Sequence, residues 1–544
     1  MTKGYVHVLA GKYLKNVLIF VILAALLTAS NFALPLVLRS ALNNYQELST
    51  RLLVMYFSIF VLTFLIRRIS DYTHLRFERK FLVAESKALF TKVFKMDYLK
   101  LNKFEPTYLF ERIGMSVNSF YGLFASAISR IIICLSTIII TLVLMFFTNI
   151  FLFILFAALI PISFFGMKKA NSILSKESAN VQKVGASENK NLKSVIGSVD
   201  FIKQQGDYSG ILNMMEKFSF NIQLARYRFN NLAKKVGIFL DFATSSIQSI
   251  LHIYVIYMFL ANRMSFADMV FVNQIFVVYF GYVNSLSNLT VDFSNIQASS
   301  DFVENELLNN SESDGEEVLD RQISDLRIEI KNALGYDENV LINQGEAYIK
   351  KGDIVGISGD SGIGKSTIAK TLNKLIPCNT VYINNKDISL VSNSFLRSKI
   401  FFMSQQVLLL PMTIKENILM GSEADDALWK KLLEKNFMKK FLDMPDKLET
   451  YVFENGTNLS GGDKQKIVLA RLFISNPDII VLDEATSSID KQMGLELLDD
   501  ITSTFTDRII IIISHYDYVF RYCNKIISIK DKTLEIQDVD RKQT

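Results

Sequence analysis

Six long apolar segments before residue 290 constrain what this 544-residue chain can fold into more than any other feature. A helix needs roughly 20 predominantly apolar residues to cross the hydrocarbon core of a membrane. One such segment could be a buried helix of a soluble protein, but six in succession predict an all-α transmembrane domain with six helices. The predicted spans are Leu14–Leu38, Leu52–Ile69, Leu123–Phe147, Ile150–Met167, Val236–Leu260 and Phe266–Leu289.

The connections between these spans alternate in length and in charge. The short ones, Thr148–Asn149 and Ala261–Ser265, contain almost no cationic residues, whereas the two long ones are rich in Lys and Arg. The positive-inside rule then predicts a multi-pass protein of the cell inner (plasma) membrane, with both long loops and both termini in the cytoplasm. Because the long loops contain few Pro and Gly residues, we expect helices that continue the spans and break at Asn102–Pro106 and Gln205–Gly210.

Several polar side chains lie within the last two spans. Such residues can face a path through the helix bundle or join helices by hydrogen bonds, and the sequence leaves both interpretations open. No ring of charged residues occurs at mid-membrane, which disfavours an ion channel. The polar residues are His252, Asn273, Gln274, Tyr279 and Tyr282.

Charge and cysteine content exclude other classes of protein. The net charge of +5 is small for this length, so we expect no nucleic-acid partner. Cys134, Cys378 and Cys523 are scattered and lack metal-binding or redox spacing. The first apolar run is too long for a cleaved signal peptide and is predicted to be a span.

The second half of the chain has a different pattern. The polar, acidic run Asn309–Glu317 predicts an exposed linker, and short β-branched runs alternate with helical patterns beyond it. Such alternation is typical of an α/β domain with a mainly parallel sheet. We therefore predict a transmembrane domain over 1–305, a linker over 306–322 and an α/β domain over 323–544. The predicted strands are Leu326–Ile330, Ala347–Ile349, Ile354–Ser358, Thr380–Ile383, Ile400–Met403, Ile479–Leu482, Ile509–Ile513 and Lys525–Ile529.

A phosphate-binding loop follows the third of these predicted strands. Its residues fit the P-loop pattern G-x-x-x-x-G-K-[ST], in which glycines let backbone N–H groups close around phosphate oxygens. We expect Lys365 to bind the β- and γ-phosphates of ATP and Ser366 to bind Mg²⁺. The loop consists of Gly359, Asp360, Ser361, Gly362, Ile363, Gly364, Lys365, Ser366 and Thr367.

Two further strand ends carry residues suited to ATP hydrolysis. Asp483 and Glu484 end the strand Ile479–Leu482, and next to a P-loop Asp483 is placed to hold Mg²⁺ through water. Glu484 is then the candidate base for the attacking water. His515, after the strand Ile509–Ile513, is placed to contact the γ-phosphate, although a lone histidine is more often structural.

Together with these residues, the segment Leu459–Gln465 resembles the signature of the ATP-binding cassette (ABC) family, and specifically of its exporter-type half-transporters. The resemblance implies that Ser460, Gly461 and Gly462 contact the γ-phosphate of ATP bound to a second subunit. It also implies that Gln405 acts at the metal and in catalysis. By the same resemblance Tyr336 stacks on adenine, Asp490 belongs to an ATP-binding loop and His515 is the family's switch histidine.

The fifth position of the signature departs from the family pattern. It is Asp463, where the family usually has Gln. Its carboxylate could lie near a phosphate-binding helix terminus and alter the interface, or it could point to solvent, and we expect the latter. Hydrolysis should survive, because Lys365, Ser366, Asp483, Glu484 and His515 are all present.

One P-loop and one signature per chain imply a homodimer with two shared ATP sites. The resemblance implies ATP-driven export of an amphipathic or hydrophobic cargo (a peptide, lipid or drug-like compound) across the lipid bilayer. An importer on the same fold and a membrane-anchored regulatory ATPase are the alternatives. Only a short segment precedes the first span, so we expect no leader-cleaving protease domain in front of it.

Overall fold

The structure is a computed structural model. Two compact units make up the chain: a helical unit (Met1–Met96 and Lys100–Ser311) and a sheet unit (Asp97–Leu99 and Glu312–Thr544). The residues that the structure describes are 4–43, 50–319, 321–331, 334–336, 339–360, 362–376, 381–423 and 425–539. Three residues named in the sequence analysis, Ser361, Cys378 and Thr380, lie outside the described residues.

Long helices dominate the helical unit, and the predicted spans lie within them. The fourth helix continues into the fifth through a π-helical turn, Leu123–Ala127, and a second π-helical segment, Phe302–Leu308, follows the ninth. The helices are α1 (Tyr5–Asn43), α2 (Thr50–Phe94), α3 (Tyr98–Leu101), α4 (Pro106–Gly122), α5 (Ile128–Thr148), α6 (Ile150–Gly197), α7 (Val199–Lys203), α8 (Ser209–Leu260) and α9 (Phe266–Asp301).

Length and apolarity alone qualify four stretches of the described residues as membrane spans. Ser245–Leu260, in the fifth predicted span, is apolar but shorter, and the fourth predicted span lies at the start of α6. The four stretches are Tyr5–Asn43, Thr50–Phe94, Pro106–Thr148 and Phe266–Val283.

The long connections are helical, as predicted, and local sequence explains where the helices begin. Pro106 begins α4, a position at which a missing N–H costs nothing. Asn149 alone separates α5 from α6, and its Oδ1 accepts hydrogen bonds from the N–H groups of Phe151 and Leu152. Ser265 caps α9 in the same way, with its Oγ accepting from the N–H of Asp268 at 3.0 Å. Both predicted interruptions, Asn102–Pro106 and Gln205–Gly210, contain a break between helices.

A buried carboxylate joins α1 to α2. The Glu85 side chain is 1% exposed. It accepts hydrogen bonds from the Tyr5 hydroxyl at 3.0 Å and the Tyr13 hydroxyl at 2.6 Å, and the Lys12 Nζ lies 2.5 Å from its Oε1. A buried charge is tolerated when it is paired and hydrogen-bonded, so this cluster ties the two helices together.

Two polar residues of the last predicted span join helices by hydrogen bonds. The hydroxyl of fully buried Tyr279 donates to the Phe156 carbonyl oxygen at 2.9 Å, which is a helix–helix hydrogen bond. Tyr282 is half-buried and its hydroxyl accepts from Asn31 Nδ2 at 3.0 Å. The His252 ring meets the Phe276 ring edge-on with centroids 5.4 Å apart. Asn273 and Gln274 are partly buried on α9.

The sheet unit is built around one ten-stranded sheet. Its order is β7-β6-β1-β4-β12-β11-β5-β10-β9-β8, and β2 and β3 form a separate hairpin. The strands are β1 (Asp325–Ile330), β2 (Leu334–Tyr336), β3 (Asn339–Ile342), β4 (Gln344–Lys350), β5 (Ile354–Ser358), β6 (Val381–Ile383), β7 (Lys386–Asp387), β8 (Ile400–Met403), β9 (Ile479–Asp483), β10 (Ile509–Ile513), β11 (Lys525–Lys530) and β12 (Thr533–Asp538).

Helices follow several of these strands, as an α/β domain requires. They are α10 (Lys365–Leu372), α11 (Asn393–Lys399), α12 (Ile414–Leu419), α13 (Asp426–Leu433), α14 (Lys439–Leu442), α15 (Gly461–Ile474), α16 (Lys491–Thr504) and α17 (Asp517–Phe520).

The sheet is mixed rather than mainly parallel. The half that contains β11, β5, β10, β9 and β8 is parallel, whereas β1 pairs antiparallel with β4 and β6. Alternate residues of the parallel strands face two different cores: Ile480 and Ile510 face one, and Val481 and Ile511 face the other. Burial on both faces explains why these strands are continuous apolar runs.

The predicted linker is held against the sheet unit from residue 312 onward. Arg397 pairs with Glu312 through two hydrogen bonds of 3.0 and 2.7 Å, and Asp314 Oδ1 accepts from the N–H of Asn393 at 2.7 Å. The Ser392 N–H donates to the Glu317 carbonyl oxygen at 2.8 Å. Exposure was predicted for this run, and Ser313, Asp314 and Glu316 are exposed. Its carboxylates also accept hydrogen bonds from the sheet unit.

Candidate nucleotide-binding site

The loop between β5 and α10 forms a cradle of backbone N–H groups. Gly359, Gly362 and Gly364 have φ values of 147°, 81° and 115°, a region that favours glycine. Lys365, only 7% exposed, folds back over the loop, and its Nζ donates to the carbonyl oxygens of Gly359 at 2.6 Å and Asp360 at 2.9 Å. The arrangement presents N–H donors and one ammonium group to the same space, which suits a phosphate chain.

The sheet register brings the other predicted residues to the edge at which this loop begins. In β10, Ile513 pairs with Ile357 of β5 on one side and with Asp483 of β9 on the other. His515 therefore follows the central strand while Asp483 and Glu484 end its neighbour. Gln405 follows β8, which pairs with β9. Carboxyl ends of adjacent parallel strands are where α/β folds bind ligands.

Asp483 is buried at this edge, with 3% of its surface exposed. Burial raises the pKa of its carboxyl above the usual value; the nearby charge of Glu484 acts in the same direction, and hydrogen bonding by Ser366 opposes it. The carboxylate is thus under-compensated by its surroundings, a condition that a bound cation would relieve.

Glu484 has the backbone conformation of a strained residue, with φ of 52°. Its N–H donates to the Ile513 carbonyl oxygen at 2.9 Å, which holds this conformation in place. One carboxylate oxygen accepts from Gln405 Nε2 at 3.0 Å, and the other lies 3.4 Å from His515 Nε2. These residues share one cavity of about 350 Å³ with the P-loop, Leu341 and Ile513.

The signature segment forms the start of α15. Ser460 is the N-cap, and its Oγ accepts from the N–H of Asp463 at 3.2 Å. A Cβ on Gly462 would lie 2.8 Å from the Ser488 carbonyl oxygen, so glycine permits the close approach of α15 to the loop after β9. Neither Ser460 nor the two glycines line the cavity that contains the P-loop, among the residues described for it.

Comparison with known proteins identifies this arrangement. Residues 342–487 match the family model described as ABC transporter. Residues 342–487 are an ABC transporter domain. The order of a helical unit followed by one such domain is similar to that of an exporter-type half-transporter.

Proteins similar to this chain have names that describe different functions. A probable ABC transporter ATP-binding/permease protein of Haemophilus influenzae is 29% identical over 329 residues, which cover 59% of each chain. The alpha-hemolysin translocation ATP-binding protein HlyB of Escherichia coli O157:H7 is 34% identical over 37% of this chain and 29% of its own length. The ATP-dependent lipid A-core flippase of Syntrophus aciditrophicus is 30% identical over 37% and 34%. The matches thus cover less than two thirds of these relatives.

A solved structure shares the fold over nearly the whole length. The structure of a bacterial Atm1-family ABC exporter with ATP bound superposes with a TM-score of 0.84 and covers 96% of both chains at 17% identity. The likeness shows that this chain has the fold of that exporter.

Gln465 is the last residue of the signature segment, and no role was predicted for it from the sequence. It is 3% exposed, and its side-chain amide donates to the Glu484 carbonyl oxygen at 3.3 Å and to Ser487 Oγ at 3.1 Å. Its Oε1 accepts from the N–H of Ser488 at 3.0 Å. The side chain therefore links α15 to the loop that carries Glu484. The sequence offered one signal for this contact: Gln465 follows Gly461 by four residues, so both lie on the same face of α15.

Asp463 does not point to solvent, so the sequence expectation for it was wrong. It is 4% exposed, and its Oδ2 lies 2.6 Å from Lys440 Nζ and accepts from Ser460 Oγ at 2.6 Å. The partner Lys440 lies on α14, outside the signature motif, so motif spacing gave no sign of it.

Two other predicted ATP-binding residues lie on elements other than the P-loop. Tyr336 ends β2, and its side chain lies outside the described part. Asp490 is the N-cap of α16, where its Oδ1 accepts from the N–H of Met493 at 3.0 Å. Thr367 lines the cavity beside Lys365 and Ser366, whereas Ile363 is not among the lining residues and packs, partly buried, against the core that contains Val481.

Proposed function

We propose that this chain is an ATPase that drives export of an amphipathic or hydrophobic cargo across a membrane. The observation that carries the proposal is the convergence of the P-loop, Gln405, Asp483, Glu484 and His515 on one cavity at one sheet edge. The exporter-type fold of the whole chain supports coupling of this site to transport.

The donor set of the cavity fits Mg²⁺, which prefers oxygen ligands and usually retains several waters. Ser366 Oγ, Gln405 Oε1 and the Asp483 carboxylate would hold the ion, the last through water. No cluster of three or more His, Cys, Asp or Glu suited to a metal occurs in the described residues. One carboxylate is sufficient when substrate phosphates supply further oxygens, and the bound ion would neutralise charge that develops on them.

The chain's own residues would divide the remaining work. Lys365 would exchange the carbonyl oxygens of Gly359 and Asp360 for the β- and γ-phosphate oxygens of ATP. Glu484 would accept the proton of the attacking water, and the Gln405 amide would orient the Glu484 carboxylate. His515, on the other side of the Glu484 carboxylate, would donate to the γ-phosphate.

We infer a homodimer as the working unit. A site needs both a P-loop and a signature, and the cavity in this chain is lined by the first without Ser460, Gly461 or Gly462. A second copy would supply them, with the N-terminus of α15 and its glycines facing the γ-phosphate. Closing and reopening of such a dimer would bias the helical unit between two states.

We place the chain in the plasma membrane, and the charge distribution supports an orientation with the sheet unit and both termini in the cytoplasm. The cargo class rests on two relatives, whose names describe translocation of a hemolysin and flipping of lipid A-core. Peptides, lipids and drug-like compounds share an amphipathic or hydrophobic character, which is therefore the proposed class.

Substitution of Glu484 by Gln tests the ATPase proposal. In the purified full chain we expect Glu484→Gln to lower ATP turnover by about 100-fold or more, the typical contribution of a general base, while ATP still binds. Phosphate release and binding of a fluorescent ATP analogue are the measurements. Glu434→Gln, on an exposed residue, is the matched control and should leave turnover unchanged. Substantial turnover in Glu484→Gln would remove Glu484 from this role.

Reconstitution into vesicles tests direction. We expect ATP added outside inside-out vesicles to drive accumulation of a fluorescent amphipathic probe, and Glu484→Gln to abolish it. ATP-dependent release of preloaded probe would indicate an importer. ATP turnover with no probe movement for peptide, lipid and drug-like probes would favour a membrane-anchored regulatory ATPase.

A further inference from the structure

The signature of this chain contains a buried acid that is paired with a base outside the motif. Asp463 Oδ2 receives two short contacts, from Lys440 Nζ at 2.6 Å and from Ser460 Oγ at 2.6 Å. The Asp463 side chain is 6% exposed and that of Lys440 is 55% exposed. The pair therefore consists of a buried carboxylate and an ammonium group that still reaches water.

The hydrogen bonds of this cluster commit the Ser460 hydroxyl. Its oxygen accepts from the N–H of Asp463, and its proton is donated to the Asp463 carboxylate. A hydroxyl has one proton to donate, so Ser460 can donate to a phosphate only if the carboxylate releases it. The stronger the uncompensated charge on Asp463, the more firmly it holds that proton.

Lys440 reduces this charge. Burial alone would raise the pKa of the Asp463 carboxyl, but the hydrogen bonds from Lys440 and Ser460 outweigh it and hold the pKa below the usual value. Asp463 is thus a carboxylate in neutral solution. Without a paired cation, that negative charge would lie within one helical turn of the α15 N-terminus, where favourable dipole charge would otherwise attract an anion.

We propose that Lys440 is a positioning residue for the ATP site: it neutralises Asp463, so that the Ser460 hydroxyl and the α15 N-terminus can receive the γ-phosphate of ATP. The pair Lys440–Asp463 then acts as one unit, in which the acid is tolerated because the base accompanies it. The inference rests on the proposed function, because the γ-phosphate is supplied by ATP bound to a second copy of this chain.

Removal of the Lys440 charge alone should weaken ATP binding. Lys440→Met leaves the Asp463 carboxylate unpaired beside the helix N-terminus, and we expect the KM for MgATP to rise about tenfold, equivalent to about 1.4 kcal/mol. The kcat should change by less than about threefold, since groups that touch the reacting atoms are intact. Lys440→Arg keeps the charge and should retain the wild-type KM.

The double variant Lys440→Met with Asp463→Asn separates charge compensation from packing. It removes both charges, so we expect its KM to return to within about threefold of the wild-type value although the α14–α15 ion pair is absent. Lys439→Met, on the exposed neighbouring residue, makes the same charge change and should leave the KM unaltered. A thermal unfolding midpoint measured for each variant reports any purely structural effect.

A binding measurement keeps the test independent of hydrolysis. In the Glu484→Gln background, Lys440→Met should raise the apparent Kd for MgATP about tenfold, and the added Asp463→Asn should reverse most of that rise. An unchanged Kd and KM in Lys440→Met, or an equal rise in the double variant, would overturn the inference. Absent turnover in the wild type together with a tenfold rise in Kd would count against the proposed ATPase but support the pairing.

Discussion

Two glutamates in the two units of this chain have surroundings that differ as those of a structural carboxylate and of the proposed catalytic one are expected to differ. Glu85, in the helical unit, is 1% exposed and is bound by two hydroxyls and an ammonium group. Glu484, in the sheet unit, is 19% exposed and faces a cavity with one amide donor and a histidine 3.4 Å away. Three donors of the chain itself bind the buried carboxylate in the helical unit, whereas the one in the sheet unit faces a cavity and retains capacity for a reactant.

The largest effect that tests this comparison is expected from substitution of Asp483, the buried neighbour of Glu484. Asp483→Asn keeps the shape but removes the charge that would hold Mg²⁺ through water, so ATP turnover should fall about 100-fold. The thermal unfolding midpoint should fall little or rise, because burial raises the pKa of this carboxyl and its charge is unfavourable to the fold. Phosphate release across a Mg²⁺ titration and a melting curve measure the two effects; a lowered midpoint with intact turnover would break the comparison.

Glu85 should show the opposite balance. Glu85→Gln replaces charge-assisted hydrogen bonds by weaker neutral ones and should destabilise the protein by about 2 kcal/mol. ATP affinity should not change, since Glu85 belongs to the helical unit. The midpoint of thermal unfolding in detergent is the measurement, and Glu216→Gln, on an exposed residue of α8, is the control.

Asp353 extends the comparison to a structural carboxylate within the sheet unit. It is 13% exposed, and Lys525 Nζ lies 2.8 Å from its Oδ2. Burial alone would raise the pKa of this carboxyl, but hydrogen bonds from Lys525, Lys350 N–H and Asn524 outweigh it and lower the pKa. A lowered folded-state pKa gives stability that is present above the unfolded pKa of about 4 and is lost as the pH falls further.

We therefore expect Asp353→Asn to lower stability at neutral pH by about 1 kcal/mol and to remove this part of the acid sensitivity. The single tryptophan, Trp429, lies on α13 of the sheet unit and reports its unfolding by fluorescence in denaturant at neutral pH and in acid below the unfolded pKa. Asp446→Asn is the control, because Asp446 is exposed and its side chain caps no helix. An equal loss of stability under both conditions would contradict the assignment.

Strands that are marked by a distinct local run of apolar residues were predicted correctly. The strands Ile354–Ser358, Ile400–Met403 and Ile509–Ile513 have the predicted bounds, because each is a short β-branched or aromatic apolar run. β12 was not predicted, since Leu534 and Ile536 alone supply its alternating apolar face. The antiparallel part of the sheet could not be inferred from strand-helix alternation, because β1 and β4 pair without a helix between them.

The candidate site was predictable to the extent that its parts are contiguous motifs at strand ends. The P-loop, Asp483 and Glu484 are found from spacing, and parallel register brings them together. Contacts between distant segments were not predictable. Lys440 is 23 residues before Asp463, and Tyr13 is 72 residues before Glu85, and no periodicity relates either pair.

The connections at the ends of α5 and α8 have a practical consequence for chemical labelling. Asn149 alone joins α5 to α6 and is occupied in capping, so a probe attached there would distort a helix start. Ala261 is exposed in the longer Ala261–Ser265 turn and has φ of −77°, which cysteine adopts without strain, whereas the left-handed backbone of Asn262 disfavours a cysteine there. With Cys134 and Cys523 buried and Cys378 replaced by Ser, a cysteine introduced for Ala261 would be the preferred thiol for an impermeant reagent, whose reaction in intact cells reads out the side of the membrane.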